Sequence, residues 1–286
     1  MSNFRFVIGR FLGAIPTLLI LICLAFLLVK SAPGGPFDFE RSLPEEVEAN
    51  LRAAYNLDDP VYLQLFKYIG DLLQGDFGPS FQYRDYTVTE LIATGFPVSL
   101  RLGTAAIFLA LIFGSIIGSV AALNQNSKLD YSVMFFGMIG ISIPNFVMAP
   151  LLVLFFSIGL RALPAGGYNG GDFYHMVLPV GSLALPQMAY IARLTRGSMI
   201  EVLSSNFVRT AKAQGLPTRS ILLKHVLKPT LLPVVSYLGP ATAAIITGSV
   251  VVEQIFGLPG LGRYFVQGAL NRDYPLVMGV VGFYGC

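Results

Sequence analysis

Apolar runs long enough to cross a bilayer dominate this chain and leave few other folds open to it. Residues 11–29, 98–123, 133–158, 176–192 and 230–252 carry almost no charge, and each approaches or exceeds the roughly 18 residues a spanning helix needs. A sixth run opens near Pro275 and is still apolar at Cys286. Twelve residues of helix rise only about 18 Å, short of a hydrocarbon core about 30 Å thick, so this last span is expected to be truncated. Backbone polar groups in lipid find partners only within a helix or a closed barrel. Unbroken apolar runs of this length therefore predict an all-α polytopic membrane protein. The composition agrees: 54% hydrophobic and 12% charged, against about 25% charged in soluble domains.

Lys and Arg placement sets the orientation. Arg5 and Arg10 precede the first run, and Lys128 lies between the second and third. The segment 193–228 holds Arg193, Arg196, Arg209, Lys212, Arg219, Lys224 and Lys228 against one acid, Glu201. These regions are expected in the cytoplasm with the amino terminus, leaving 31–97, 159–175 and 253–274 outside. The first run exceeds a signal-peptide core and is not followed by a clean small-x-small site, so it reads as a retained span. Three parts follow: 1–30 with the first span, an external helical region 31–97, and a core 98–286 containing the cytoplasmic loop 193–228. Within 31–97, residues 43–55 and 61–73 show helical spacing, the second with Leu63, Phe66 and Ile69 or Tyr68 on one side.

The spans are rich in small residues and proline. Gly114 and Gly118 form a small-xxx-small face, more simply read as packing within the chain than as a dimer surface. Ser142-Ile-Pro144-Asn145, Pro186-Gln187 and Gly239-Pro240 interrupt helical hydrogen bonding in or near spans. Kinks lining a pathway and kinks shaping a bundle fit them equally. Polar or small candidates for a path are Ser142, Asn145, Ser182, Gln187, Thr247 and Ser249, all of which could equally be packing.

Several chemistries find no support. The middle of the spans has no ionisable side chain, whereas ion-coupled carriers place such groups there to bind and release the ion. No G-x-x-x-x-G-K-[ST] loop is present to hold nucleotide phosphates. The glycines of Gly257-Leu-Pro-Gly260-Leu-Gly262 lack its lysine and read as a turn. Cys23 and Cys286 give neither a disulfide framework nor metal spacing. No catalytic site, metal site or cofactor is expected, and no nucleic-acid partner. Energy must enter from elsewhere. Residues 207–216 mix apolar, basic and small side chains, and Gly215-Leu216-Pro217 should end a helix there. A solvated positive loop explains that composition as well as a partner surface does.

The residues themselves favour the partner surface. Phe207-Val-Arg-Thr-Ala-Lys-Ala-Gln-Gly215-Leu, followed by His225-Val-Leu-Lys-Pro-Thr-Leu-Leu-Pro233, resembles the cytoplasmic signature of binding-protein-dependent ABC importer permeases. That signature begins Glu-Ala-Ala with a glycine four residues on. Arg209, Thr210 and Ala211 fill its three places here, with Gly215 in register. Ala14-Ile-Pro-Thr-Leu, Gly75-Asp-Phe-Gly-Pro-Ser, Thr195-Arg-Gly-Ser-Met-Ile-Glu-Val-Leu203 and Glu253-Gln-Ile-Phe-Gly-Leu-Pro-Gly-Leu-Gly262 resemble the B-type permeases of the oligopeptide/dipeptide branch. The resemblance implies a type I (MetI-like) importer bundle with six spans, in the bacterial inner membrane. It implies a second homologous permease, two ATP-binding subunits, a periplasmic peptide-binding protein and a peptide substrate. ATPase coupling would fall to Arg209, Thr210, Ala211, Lys212, Ala213, Gln214, Gly215 and Leu216. The competing expectations are a self-sufficient carrier or channel and a membrane assembly component.

Overall fold

A computed structural model describes residues 3–31, 59–83 and 85–285. Every regular element among them is helical, as apolar runs without a barrel's alternation dictate. Four helices are long and apolar enough to cross a membrane: Leu12–Ser31, Val88–Leu123, Phe173–Leu203 and Thr218–Thr247. A further pair, Lys128–Ser142 with Asn145–Gly159, qualifies together but is bent by 107°. Tyr274–Gly285 is a shorter apolar helix of 12 residues.

The chain divides into two compact units, Met1–Phe96 with Arg263–Cys286, and Pro97–Gly262. The first contains α1 (Asn3–Ser31), α2 (Val61–Leu73), the start of α3 (Val88–Leu123), most of α10 (Leu261–Leu270) and α11 (Tyr274–Gly285). Ile22 and Phe26 of α1 pack with Met278 of α11 and with Leu65, Tyr68, Ile69 and Leu72 of α2. The inward stripe of α2 is thus 65/68/69/72, an i, i+3, i+4, i+7 set. The expected face differs here, since Leu63 and Phe66 are exposed with Val61 and Tyr62. The unbroken apolar stripe wins over the shorter one. The helix expected at 43–55 lies outside the described residues.

Asp273 organises the approach to α11. It is fully buried, bonds the Ser80 hydroxyl and accepts the backbone N–H groups of Phe81 and Gln82 at 3.1 Å. It also accepts the N–H of Leu276 at 3.3 Å, capping the first turn of α11. One carboxylate thereby caps a helix and ties the 80–82 segment to it.

The second unit contains the rest of α3, α4 (Lys128–Ser142), α5 (Asn145–Leu152, continuing as a π-helix over Val153–Gly159), α6 (Phe173–Leu203), α7 (Asn206–Ala213), α8 (Leu227–Gly248) and α9 (Val250–Phe256). Thr218–Ser220 and a π-helical turn, Ile221–Val226, lead into α8. The run 133–158, expected as one span, is therefore two helices. Ile143 before Pro144 is driven to an extended ψ of 118°, because the proline ring disfavours helix in its predecessor. Pro186 and Pro240, by contrast, lie inside continuous α6 and α8.

α6 is the element on which others meet. Gly114 of α3 leaves room for the Met188 carbonyl, 2.8 Å from where a Cβ would sit. At Gly118 a Cβ would collide with the Ala192 carbonyl oxygen and come within 2.8 Å of the Thr195 Cβ. The small-xxx-small face is an internal notch that brings two backbones together. On the opposite flank Tyr190 of α6 stacks on Tyr237 of α8 at 4.4 Å, and Tyr237 donates to the Gln187 carbonyl oxygen at 2.5 Å.

The glycine cluster at 257–262 is a turn, built around a buried acid. Glu253 is fully buried and accepts from Ser99 (2.7 Å), Ser249 (2.5 Å) and the Gly262 N–H (2.8 Å). Gly257 ends α9 in the left-handed region at φ 66°. A Cβ at Gly260 would strike the Glu253 carboxylate, and one at Gly262 the Val250 backbone. Glycine is needed there because the loop folds directly over the acid.

Candidate functional site

α7 is eight residues long, too short to hold itself as a helix in water. Its stability has to come from packing and capping. Val208 and Ala211, one turn apart, are buried against Met199 of α6, Ala122 at the end of α3, and Ile221 and Val226. The Thr210 hydroxyl donates back to the Asn206 carbonyl at 3.0 Å. The end closes as a Schellman motif: Gly215 N–H to the Lys212 carbonyl at 3.0 Å and Leu216 N–H to the Ala211 carbonyl at 3.3 Å. Gly215 takes φ +76°, and nothing lies within 4 Å of where its Cβ would be. Its requirement is conformational, since only glycine enters that region freely.

The outward side is a different surface. Phe207, Arg209, Thr210, Lys212, Ala213, Gln214, Gly215 and Leu216 are all exposed, Phe207 by 50% and Leu216 by 38%. Seven of the eight expected coupling residues thus share one accessible strip. Ala211 does not: at 5% exposure it belongs to the internal cluster. On so short a helix the apolar positions 208 and 211 are taken by the chain's own core. What remains outside is two cations, Thr210 and Gln214, the small Ala213 and Gly215, and two large apolar side chains, a mixture suited to contact with another protein.

The six path candidates separate in the same way. Ser182 and Ser249 are fully buried, with hydroxyls given to the Pro179 carbonyl (2.8 Å) and to Glu253 (2.5 Å). Both hydroxyls are spent on packing inside the described residues. Ser142 is exposed and Asn145 half-buried, on either side of the α4–α5 break. Gln187 is half-buried under the Tyr237 hydroxyl, and Thr247 is half-buried with its hydroxyl on the Ala243 carbonyl.

Two acids matter that the apolar runs conceal. Glu253 follows the 230–252 run by one residue and recruits Ser99 from 154 positions away, a distance no local pattern discloses. Asp130, 1% exposed, precedes the third run. It takes a two-pronged bond from Arg196, Nε to Oδ1 at 2.5 Å and a terminal nitrogen to Oδ2 at 2.6 Å. Ser127 capping the N–H of Asp130 at 3.3 Å is a local signal that could have marked it.

With this geometry in view, similarity to known proteins becomes informative. Residues 114–286 match the family described as "Binding-protein-dependent transport system inner membrane component". The chain belongs to that family. Among curated members, the "Oligopeptide transport system permease protein OppB" of Escherichia coli strain K12 is 58% identical over 96% of this chain and 90% of its own length. The protein of that name in Haemophilus influenzae is 57% identical over the same shares. The "Dipeptide transport system permease protein DppB" of Bacillus subtilis is 46% identical over 98% of this chain and 90% of its own. Among solved structures, the MetNI methionine ABC transporter in an inward-facing form superposes with a TM-score of 0.54 at 18% identity. It covers 68% of this chain and 93% of the matched one. The fold is MetI-like, and this inner membrane component passes the membrane several times.

Proposed function

We propose that this chain is a permease subunit of an ATP-driven, binding-protein-dependent importer of oligopeptides. Its relatives named for oligopeptide transport, at 58% identity over 96% of the chain, support the substrate class. The observation that carries the coupling role is the two-sidedness of α7. It is fixed from within by Val208 and Ala211, while Phe207, Arg209, Thr210, Lys212, Ala213 and Gln214 stay accessible. In this reading the outward strip docks on an ATP-binding subunit, and Leu216 joins it past the turn made by Gly215. A second homologous permease completes the path, two ATPase subunits sit on the cytoplasmic side, and a peptide-binding protein delivers substrate from outside. ATP binding closes the ATPases, moves α7 and turns the bundle outward. The positive segment 193–228 and the amino terminus lie in the cytoplasm.

The test is site-directed crosslinking in a background with Cys23 and Cys286 replaced by serine. Cysteine at Ala213 should crosslink to an ATPase subunit, and cysteine at Gln82 should be labelled from outside. Labelling in the reverse sense would overturn the orientation. Peptide flux through the purified chain alone in liposomes would overturn the importer reading.

A further inference from the structure

We propose that Asp130 and Arg196 are positioning residues for transport, a joint that carries movement of α7 into α4, the first half of the broken span. The proposal rests on the docking role of α7 given above and adds the route by which docking reaches the membrane-embedded bend.

The links are all local. α7 cannot move independently of α6, because Val208 and Ala211 share a core with Met199. Met199 lies one turn beyond Arg196 on the same helix, so displacement of α7 shifts the arginine. Arg196 grips Asp130 through both carboxylate oxygens, at 2.5 and 2.6 Å. A paired fork of this kind fixes orientation as well as distance. The same carboxylate accepts the Asn126 N–H at 3.0 Å, and Asn126 stands at φ 63°. One acid therefore secures both the start of α4 and the turn before it to α6.

Farther along, α4 stays packed on α6 through apolar and small residues. Gly140 of α4 meets Ala189 of α6, 3.4 Å from its Cβ position, and the Leu185 carbonyl at 3.9 Å. Beside that contact lies an open apolar groove of about 520 Å³, lined by Phe136, Gly137, Met148, Met188 and Ala189 among others. α4 is thus tied to α6 by charge at one end and by packing along its length, with an open apolar groove on its flank. Its 15 residues form a rod about 22 Å long, ending at Ser142 and the 107° bend. A small rotation at the pinned end is carried to the exposed Ser142 and to Asn145 beyond the break.

The experiment uses the complete importer, reconstituted with its partner permease, ATPases and binding protein. Asp130→Asn, Arg196→Lys and the reversed pair Asp130→Arg with Arg196→Asp are compared with the parent. Three quantities are read: complex recovered, ATP hydrolysed, and peptide taken up per ATP. The crosslink from Ala213→Cys is followed alongside. Expected is near-parental assembly, crosslinking and ATP hydrolysis in each single variant. Uptake per ATP should fall about tenfold and recover in part in the reversed pair. Unchanged uptake per ATP in either single variant overturns the proposal. So does a parallel loss of uptake and hydrolysis, or a failure of all three to assemble, since the pair is then a folding clamp. If the crosslink is missing in the parent itself, it is the docking reading that has failed.

Discussion

Gly118 offers a calibrated test of how closely α3 and α6 approach. Alanine there places a Cβ on the Ala192 carbonyl oxygen, with the Thr195 Cβ 2.8 Å away. The first of these partners is backbone and cannot rotate aside, and Met188 presses in the same way one turn earlier, at Gly114. The helices must separate, at an overpacking cost near the upper end of about 1–3 kcal/mol. Replacing a helical glycine by alanine returns about 1 kcal/mol through propensity. The net is about 2 kcal/mol of destabilisation, roughly thirtyfold in the folding equilibrium. Gly137→Ala in α4 is the matched control, because nothing lies within 4 Å of its Cβ position and only the propensity gain of about 1 kcal/mol remains. Purified variants are unfolded by a graded denaturing detergent while helix content is followed. Gly118→Ala should shift the midpoint down and Gly137→Ala should leave it level or higher. A Gly118→Ala protein as resistant as Gly137→Ala would refute the backbone contact.

Gly215→Val forces a β-branched residue to φ +76°, a strain of about 1–3 kcal/mol. The chain should still insert while peptide uptake is lost, and normal uptake would count against a role for the α7 turn. Glu253→Gln keeps an oxygen for Ser99 and Ser249 but turns an amide N–H₂ toward the Gly262 N–H. The orphaned donor costs about 1–3 kcal/mol, to be read as faster amide exchange at 261–262; parental exchange rates would contradict it. Asp273→Asn weakens the hold on Phe81 and Gln82 by a similar cost of about 1–3 kcal/mol. A cysteine at Gln82 should then react faster with an external thiol reagent, and an unaltered rate would show that the segment is held by something else.

The long helices were legible because lipid admits so few alternatives, and Pro144 flagged an interruption within a run still read as one span. The bend angle was not, since two helices meeting at a proline can take many directions and packing selects one. In α7 the family resemblance singled out residues 209–216, and the structure leaves all of them exposed except Ala211, which packs inside the chain. Side-chain volume says that a residue can approach something closely, but not whether that neighbour is another subunit or its own chain. Ser182 and Ser249 left both readings open for a related reason. A hydroxyl in an apolar helix is as readily consumed by a carbonyl one turn back as offered to a solute. Glu253 and Asp130 escaped because a carboxylate's partners come from distant segments, and apolar run length is blind to them.

The division of α7 into inward and outward positions also bears on engineering. Residues 208 and 211 hold the helix in place, while 207, 209, 210, 212 and 213 are exposed among the described residues. The outward strip can therefore be rewritten, by charge reversal at Arg209 and Lys212 for instance, without disturbing the scaffold that displays it. On the docking proposed above, pairing such a strip with complementary changes on an ATPase would yield two importers that share one cell and do not exchange motors.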